Sequence, residues 1–305
     1  MNLYGDSGAN SIRGYISAEE EPAGSYKILR KFETPTQKIA LVDHEGDLLI
    51  YSNGHQMFGT TADEDLFAEA MIHVPMAAAR RRKSVLIIGG GGGITTREAL
   101  RYSDVEKINT LDVDKIMIDF GKKLKPLVQF NKGSLNHPKV ETVIEDGRRF
   151  VKKNSEKWDV IIVDLPEPNE KNPKLSRLFS REFYSLLKER LNPGGAIGVA
   201  CSNADSTAEY LWSIHATLTK AGFYVLPYHY FEPVAAENWL FCLATVSTVQ
   251  PKDLRMSVEA KYLSTKKLRD MFDMPYYFVI SKDTGKVQTD DNTVLVEIIN
   301  NAWYS

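Results

Sequence analysis

The sequence predicts an α/β protein in which a doubly wound, mostly parallel sheet follows a small N-terminal antiparallel β region. Three observations predict it. Short apolar runs alternate with helix-forming segments from about residue 85 to residue 246. One of these runs, 85–88, breaks into five consecutive glycines, Gly89, Gly90, Gly91, Gly92 and Gly93, before a helical segment begins near Thr95. Asp112 then closes the next apolar run, 108–111.

The glycine stretch reads as strand, tight loop and helix. Glycines are needed there because the chain must turn sharply and let its backbone approach a ligand closely. The helix that follows directs its unpaired N–H groups at the loop. A carboxylate at the end of the next strand, where Asp112 stands, is where a Rossmann-like βαβ unit grips ribose hydroxyls.

Composition bounds the function. A chain of 305 residues that is 43% hydrophobic and 26% charged has ample length for a globular core. A net charge of −2 gives no general attraction to nucleic acid or to an anionic membrane, so a small-molecule partner is expected. No apolar run approaches membrane-spanning length, and the first ten residues lack the basic and apolar regions of a signal peptide, so a cytoplasmic location is expected. Cys201 and Cys242 lie in apolar runs without partners at metal-binding spacing and read as buried thiols.

In chain order, residues 1–21 form a loose leader. Three strand-like runs lie between residues 26 and 53, so residues 1–60 make up the leader and the small β domain. Residues 63–73 carry apolar positions at helical spacing, with Pro75 predicting a kink or break. The Rossmann-like domain, 61–250, continues with helices at 114–124, 147–153, 180–191 and 207–221. Strands are expected at 140–144, 159–163, 196–201, 223–229 and 239–246. Residues 251–305 form an extension packed on this domain, with 295–299 as a late strand or helix.

In doubly wound sheets ligands bind beyond the carboxyl ends of the strands. The residues expected there are the glycine loop, Asp112, Asp146 with Gly147, and Asp164. For Asp146 a helix N-cap is the competing reading. The stretch 164–180, with three prolines, reads as a binding loop or lid, in which Lys171, Lys174 and Arg177 are solvated charges. His55, His137 and His229 read as surface or satisfied core histidines.

Six motifs, in order and spacing, resemble the polyamine aminopropyltransferase family, of which spermidine synthase is the best-known member, in its bacterial spermidine-synthase-like branch. They are IleGlyGlyGlyGlyGly (88–93), LeuAspValAsp (111–114), GluAspGly (145–147), ValAspLeuProGluPro (163–168), ArgGluPheTyr (181–184) and AsnProGlyGly (192–195). GlnLysIle (37–39), TyrSerAsnGly (51–54) and the tail around 268–272 and 289–297 are similar to it as well.

The resemblance implies a class I methyltransferase type of sheet, a homodimer, and alkyl transfer from decarboxylated S-adenosylmethionine, or from S-adenosylmethionine itself, to a small amine. Neither a permanently bound cofactor nor a metal is implied. Gln37, the glycines and Asp112 would hold the donor, and Asp146 with Gly147 would meet the adenine edge. Asp164, with Glu167, would take the amine proton. Glu69, His73 and Tyr228 would border the acceptor.

Three positions depart from the family pattern outright. Gly92 stands where the family normally has an aspartate that pairs with the aminopropyl ammonium. Phe67 and Ala68 replace TyrHis or TyrGln. The second acid of the substrate loop, Glu167, is also one methylene longer than usual. Three readings stay open: an aminopropyltransferase or close relative; an S-adenosylmethionine-dependent N-methyltransferase, favoured by Gly92; and a nucleoside-binding protein without turnover, favoured by Phe67 and Ala68.

Overall fold

The computed structural model describes residues 26–34, 37–232 and 237–303, and the expected leader lies outside them. Four antiparallel strands come first: β1 (Tyr26–Glu33), β2 (Lys38–His44), β3 (Asp47–Ser52) and β4 (His55–Gly59), paired in that order. The fourth strand was not expected, because HisGlnMetPheGly is too short to show an alternation of its own. Helix α1 (Ala62–Ala78) follows.

The larger unit then alternates. Its elements are β5 (Ser84–Gly89), α2 (Ile94–Ala99), β6 (Lys107–Asp112), α3 (Lys115–Lys123), α4 (Lys125–Phe130), β7 (Val140–Ile144) and α5 (Gly147–Lys153). After them come β8 (Trp158–Asp164), α6 (Arg181–Arg190), β9 (Leu191–Asn203), α7 (Ala204–Lys220), β10 (Tyr224–Glu232) and β11 (Glu237–Thr245). The extension carries α8 (Thr265–Asp270), α9 (Tyr276–Val279) and α10 (Val294–Trp303), so residues 295–299 are helical. Helix α4 has six residues and an early proline, which leaves no periodicity to read.

The seven strands run in the order β10-β11-β9-β8-β5-β6-β7. Neighbours from β9 to β7 are parallel, whereas β11 pairs antiparallel with both β9 and β10. From β5 the chain builds outward to β6 and β7, then returns to place β8 on the other side. The order therefore reverses beside β5, and the crevice of a doubly wound sheet opens at its carboxyl end.

Strand alternation divides the core between the two faces. Val85, Ile87, Val160 and Ile162 pack beneath α1. Leu86, Ile88, Ile161 and Val163 pack against residues of α6, α7 and α10. A separate cluster joins the N-terminal sheet, through Ile39, Leu41 and Ile50, to Phe120 of α3 and Leu127 of α4. Cys201 and Cys242 are fully buried free thiols.

Pro75 does not end α1, which continues to Ala78. The proline removes the N–H that would bond to the Met71 carbonyl. On this face Gly198 of β9 is bare, and a Cβ there would lie 3.0 Å from the Pro75 ring and 3.2 Å from the Met71 oxygen. The missing side chain on β9 admits the ring, so the helix packs flat on the sheet instead of breaking.

Glu69, 1% exposed, fastens the extension to α1. Its carboxylate accepts from the backbone N–H groups of Lys261 (2.6 Å), Tyr262 (2.9 Å) and Leu263 (2.8 Å). Glu69→Ala is expected to lower stability by about 2–3 kcal/mol, because buried donors lose their acceptor. Urea unfolding measures the loss, and hydrogen exchange should show residues 261–263 losing protection first.

Candidate functional site

The carboxyl ends of β5, β6 and β8 meet at the reversal of strand order, and the glycine loop lies between them. Gly89, with φ of 92°, is paired with Asp164, and a Cβ on it would collide with the Asp164 carbonyl oxygen. A Cβ on Gly91 would strike the Asp112 carboxylate. Behind the loop, Asn131 Nδ2 donates to the Gly92 carbonyl at 2.8 Å and Ser134 Oγ to the Gly93 carbonyl at 2.6 Å. These two side chains turn the loop carbonyls away from the site, and nothing in the sequence singled them out.

Asp112 receives hydrogen bonds from the backbone N–H of Asp114 (2.9 Å) and of Gly91. Burial nevertheless pushes its carboxyl up to about 6, and the charges of Asp114 and Asp164 add to the shift. Asp164 is also pushed up to about 6 by burial, while a 3.1 Å hydrogen bond from the Thr95 hydroxyl pulls the other way. Glu167, three residues on, is raised by burial and partly relieved by the Ser202 hydroxyl. Asp112 and Asp164 are the last residues of β6 and β8, the two neighbours of β5, and Glu167 follows three residues after Asp164 on the loop leaving β8.

A fourth carboxyl was missed. Glu64, in the first turn of α1, accepts from the Gly59 N–H at 3.1 Å and is raised well above the usual range. Burial is the main cause, with Asp63 and Asp164 contributing. Its position among the acids that open a helix made it look like an ordinary response to the helix dipole. Among the described residues, the groups acting most strongly on these four carboxyls are hydroxyls, backbone N–H groups and other carboxyls, with no cation.

The remaining expected residues divide. Gln37 Nε2 donates to Asp114 at 3.1 Å and its Oε1 accepts from Ser52 at 2.6 Å, so its amide ties the N-terminal sheet to the residue beside Asp112. Asp146 is exposed and caps α5 through Arg149 N at 2.8 Å. Gly147 is bare where a Cβ would lie 2.6 Å from Ile88. Val113 and Ile144 stand exposed at the ends of β6 and β7 and form an apolar ledge beside Asp112.

Glu69, His73 and Tyr228 do not line the acceptor side as expected. Glu69 is committed to the extension. His73, fully buried, meets Tyr102 Oη at 3.0 Å and lies 3.3 Å from Glu98 Oε2, joining α1 to α2. Tyr228 is fully buried, donates to the Ala70 carbonyl at 3.3 Å and stacks on Phe241. Spacing placed Glu69 and His73 on one helical face, but that face looks into the protein. Of the restrained histidines, His137 is exposed, while His229 meets Asn238 Oδ1 at 3.0 Å and the Asp273 carbonyl at 3.2 Å. The side chain of His55 lies outside the described ones.

The profile of the spermine/spermidine synthase domain family matches residues 64–252, which hold β5 through β11 and the four carboxyls. The chain belongs to this family. A polyamine aminopropyltransferase from Oceanobacillus iheyensis is 31% identical over 284 residues, covering 90% of this chain and 54% of that protein. Another from Aquifex aeolicus is 29% identical, covering 94% of this chain and 56% of that protein. The chain thus spans about half the length of the curated relatives it matches.

Among solved structures, a spermidine synthase in complex with the transition-state analogue AdoDATO superposes with a TM-score of 0.75 at 25% identity. The match covers 84% of this chain and 88% of that one. The spermidine synthase from Thermotoga maritima shares the fold, with a TM-score of 0.73 at 24% identity over 84% of this chain and 87% of that one.

Asp112 and Asp164 titrate near 6 when folded, against about 3.9 in an unfolded chain. The folded state therefore holds more protons between those values. The stability these groups contribute is complete below about pH 4 and is lost as pH rises through 6. Asp164→Asn is expected to flatten this slope and to stabilise ligand-free protein at pH 7 by up to about 3 kcal/mol. Denaturant titrations from pH 4 to 8 check it, and an unchanged slope would remove Asp164 from the buried cluster.

Proposed function

We propose that the chain transfers the aminopropyl group of decarboxylated S-adenosylmethionine to a small amine. The observation that carries this reading is the set of half-buried carboxyls at the switch point of the sheet, on which no cation among the described residues acts strongly. Such a site favours a positively charged guest, and both a sulfonium donor and an alkylammonium acceptor are positively charged. The family and the relatives' names support the same chemistry.

Asp112 would accept the ribose hydroxyls. Val113 and Ile144 would flank the adenine, with Asp146 and Gly147 at its edge and Gln37 supporting the donor side through Asp114. The amine nitrogen attacks the carbon attached to sulfur, the C–N bond forms, and the C–S electron pair leaves with sulfur as a neutral thioether. The amine proton passes to Asp164. An alkylamine near pKa 10.4 is almost wholly protonated at pH 7, and freeing its lone pair costs about 4.6 kcal/mol. A carboxylate that is ionised above about pH 6 can orient that ammonium and take the proton that frees its lone pair, after which the C–N bond forms. Holding donor and acceptor in line would supply much of the remaining acceleration. A homodimer working in the cytoplasm accompanies this reading.

One observation favours a second reading, methyl transfer from intact S-adenosylmethionine. Gly92 offers no carboxylate to an aminopropyl ammonium, and a Cβ there would lie 2.7 Å from the Phe58 ring of β4. An acid could enter at that position only if the ring moved. Calorimetric titration with intact and decarboxylated donor separates the readings. Aminopropyl transfer expects tighter binding of the decarboxylated form, and preference for the intact form would replace it with methyl transfer.

Two variants test the residue roles. Asp112→Ala should weaken nucleoside thioether binding by about 1.5–3 kcal/mol, the range for a hydrogen bond to a charged group. Asp164→Asn should keep donor affinity while turnover falls by about two to four orders of magnitude. The wild-type rate should also decline below about pH 6, as Asp164 gains its proton. Loss of donor binding together with turnover would make Asp164 a donor ligand and move the base to Glu167.

A further inference from the structure

The loop that leaves β8 starts from Asp164, carries Glu167 and ends at Ser180, the cap of α6. Residues 288–300 of the extension grip its outer part. The Glu170 N–H donates to Asn300 Oδ1 of α10 at 3.2 Å, and just past the loop the Arg181 N–H donates to the Gln288 carbonyl at 2.9 Å. Asp290 lies between these two holds, and its Oδ1 accepts from the Ser180 hydroxyl at 2.7 Å.

The same carboxylate receives Arg148 of α5 in a two-pronged pair, Nη1 to Oδ1 at 2.6 Å and Nη2 to Oδ2 at 2.5 Å. Arg148 Nη1 also donates to the Arg177 carbonyl of the loop at 3.2 Å. A lone surface ion pair contributes little, because two long side chains must be ordered to make it. Here the order is already imposed. Ser180 is fully buried, the Asp290 N–H donates to Glu182 Oε2 at 3.0 Å, and an arginine fork matches a carboxylate in one orientation. The Arg148 guanidinium, helped by the Ser180 hydroxyl, holds the Asp290 carboxyl below its ordinary range, so the pair is charged at neutral pH.

This joint connects two parts of the site. Arg148 directly follows Gly147, where a Cβ would lie 2.6 Å from Ile88 of β5 and 3.9 Å from Leu178 of the loop. The end of the loop therefore packs beside the first residue of α5. We propose that Asp290 is a positioning residue: by holding Arg148 and Ser180 together it fixes the outer end of the loop to the start of α5 and so sets the acceptor side against the donor side. The link to the donor rests on the nucleoside reading of Gly147, whichever group is transferred, whereas the clamp on the loop does not. Misplacing reacting groups by about 1 Å can lower a rate about a hundredfold, so a loop released at its outer end would cost turnover.

Asp290→Ala and Arg148→Ala each break the pair, and Arg148→Lys keeps the charge without the fork. Hydrogen exchange of the ligand-free protein should show residues 169–180 exchanging about tenfold faster in each alanine variant, the size of one lost hydrogen bond to a charge. With diamines as acceptors, kcat/KM should fall about tenfold in each and no further in the double variant, because both changes break one joint. Arg148→Lys should fall between these and wild type, and it carries the comparison if an alanine variant does not fold. Methylthioadenosine and S-adenosylhomocysteine are the thioethers left by aminopropyl and methyl transfer. The one that binds should slow exchange of residues 169–180 in wild type and much less in Asp290→Ala.

Unchanged loop exchange in folded variants would overturn the proposal. Faster exchange with kcat/KM and thioether-induced protection as in wild type would overturn it too, leaving Asp290 a structural tie alone. Should neither thioether bind wild type, the nucleoside reading fails, and exchange of the ligand-free protein still decides the clamp.

Discussion

Holding half-buried carboxyls together with no cation acting strongly on them among the described residues is the constraint on which the strand ends depend. Asp112, Asp164, Glu167 and Glu64 are all raised by burial, and those close enough to sense one another repel. Such an arrangement is unfavourable until a cation arrives, so the rest of the fold has to hold it in place. The wide apolar sheet does this through β5 and β8, whose inner residues are almost wholly buried. Relief of that repulsion is energy available for binding.

Both peripheral parts of the chain are tied to the same centre. The N-terminal sheet reaches it through Asp114, which accepts from Thr34 (2.6 Å) and Gln37 (3.1 Å) while capping α3. The extension reaches it twice, at Glu69 on α1 and at Asp290, which pairs with Arg148 of α5 at 2.6 Å. Helix α1 is thereby held at both levels: its first turn carries Glu64, and about a turn and a half later Glu69 anchors the backbone of 261–263. Asp65, between them, pairs with Arg97 of α2 at 2.7 Å and fixes the helix against the segment that follows the glycine loop.

The sheet was legible because buried parallel strands leave nearly continuous apolar runs, and β5 and β8 are such runs. Glycines and terminal acids then marked which ends converge. Elements lacking a pattern of their own stayed hidden: β4 has five residues, and α4 opens with Lys-Pro. Side-chain direction was harder to read. Glu69 and His73 share a helical face, but only the packing of α2 and the extension shows that the face is interior. Glu64 is one acid among several in a first turn, and its burial depends on β4 lying over it.

The glycine loop is also confined in sequence space. Successive positions abut different parts of the molecule: Gly89 the backbone of β8, Gly91 the carboxylate ending β6, Gly92 the Phe58 ring, and Gly93 the Ser134 and Asn131 side chains behind the loop. A substitution at any of them must be preceded by a compensating change in a distant segment, a separate one for each position. A change at Gly92, where this chain already departs from the family pattern, is coupled in this way to the ring of Phe58 on a strand of the N-terminal sheet.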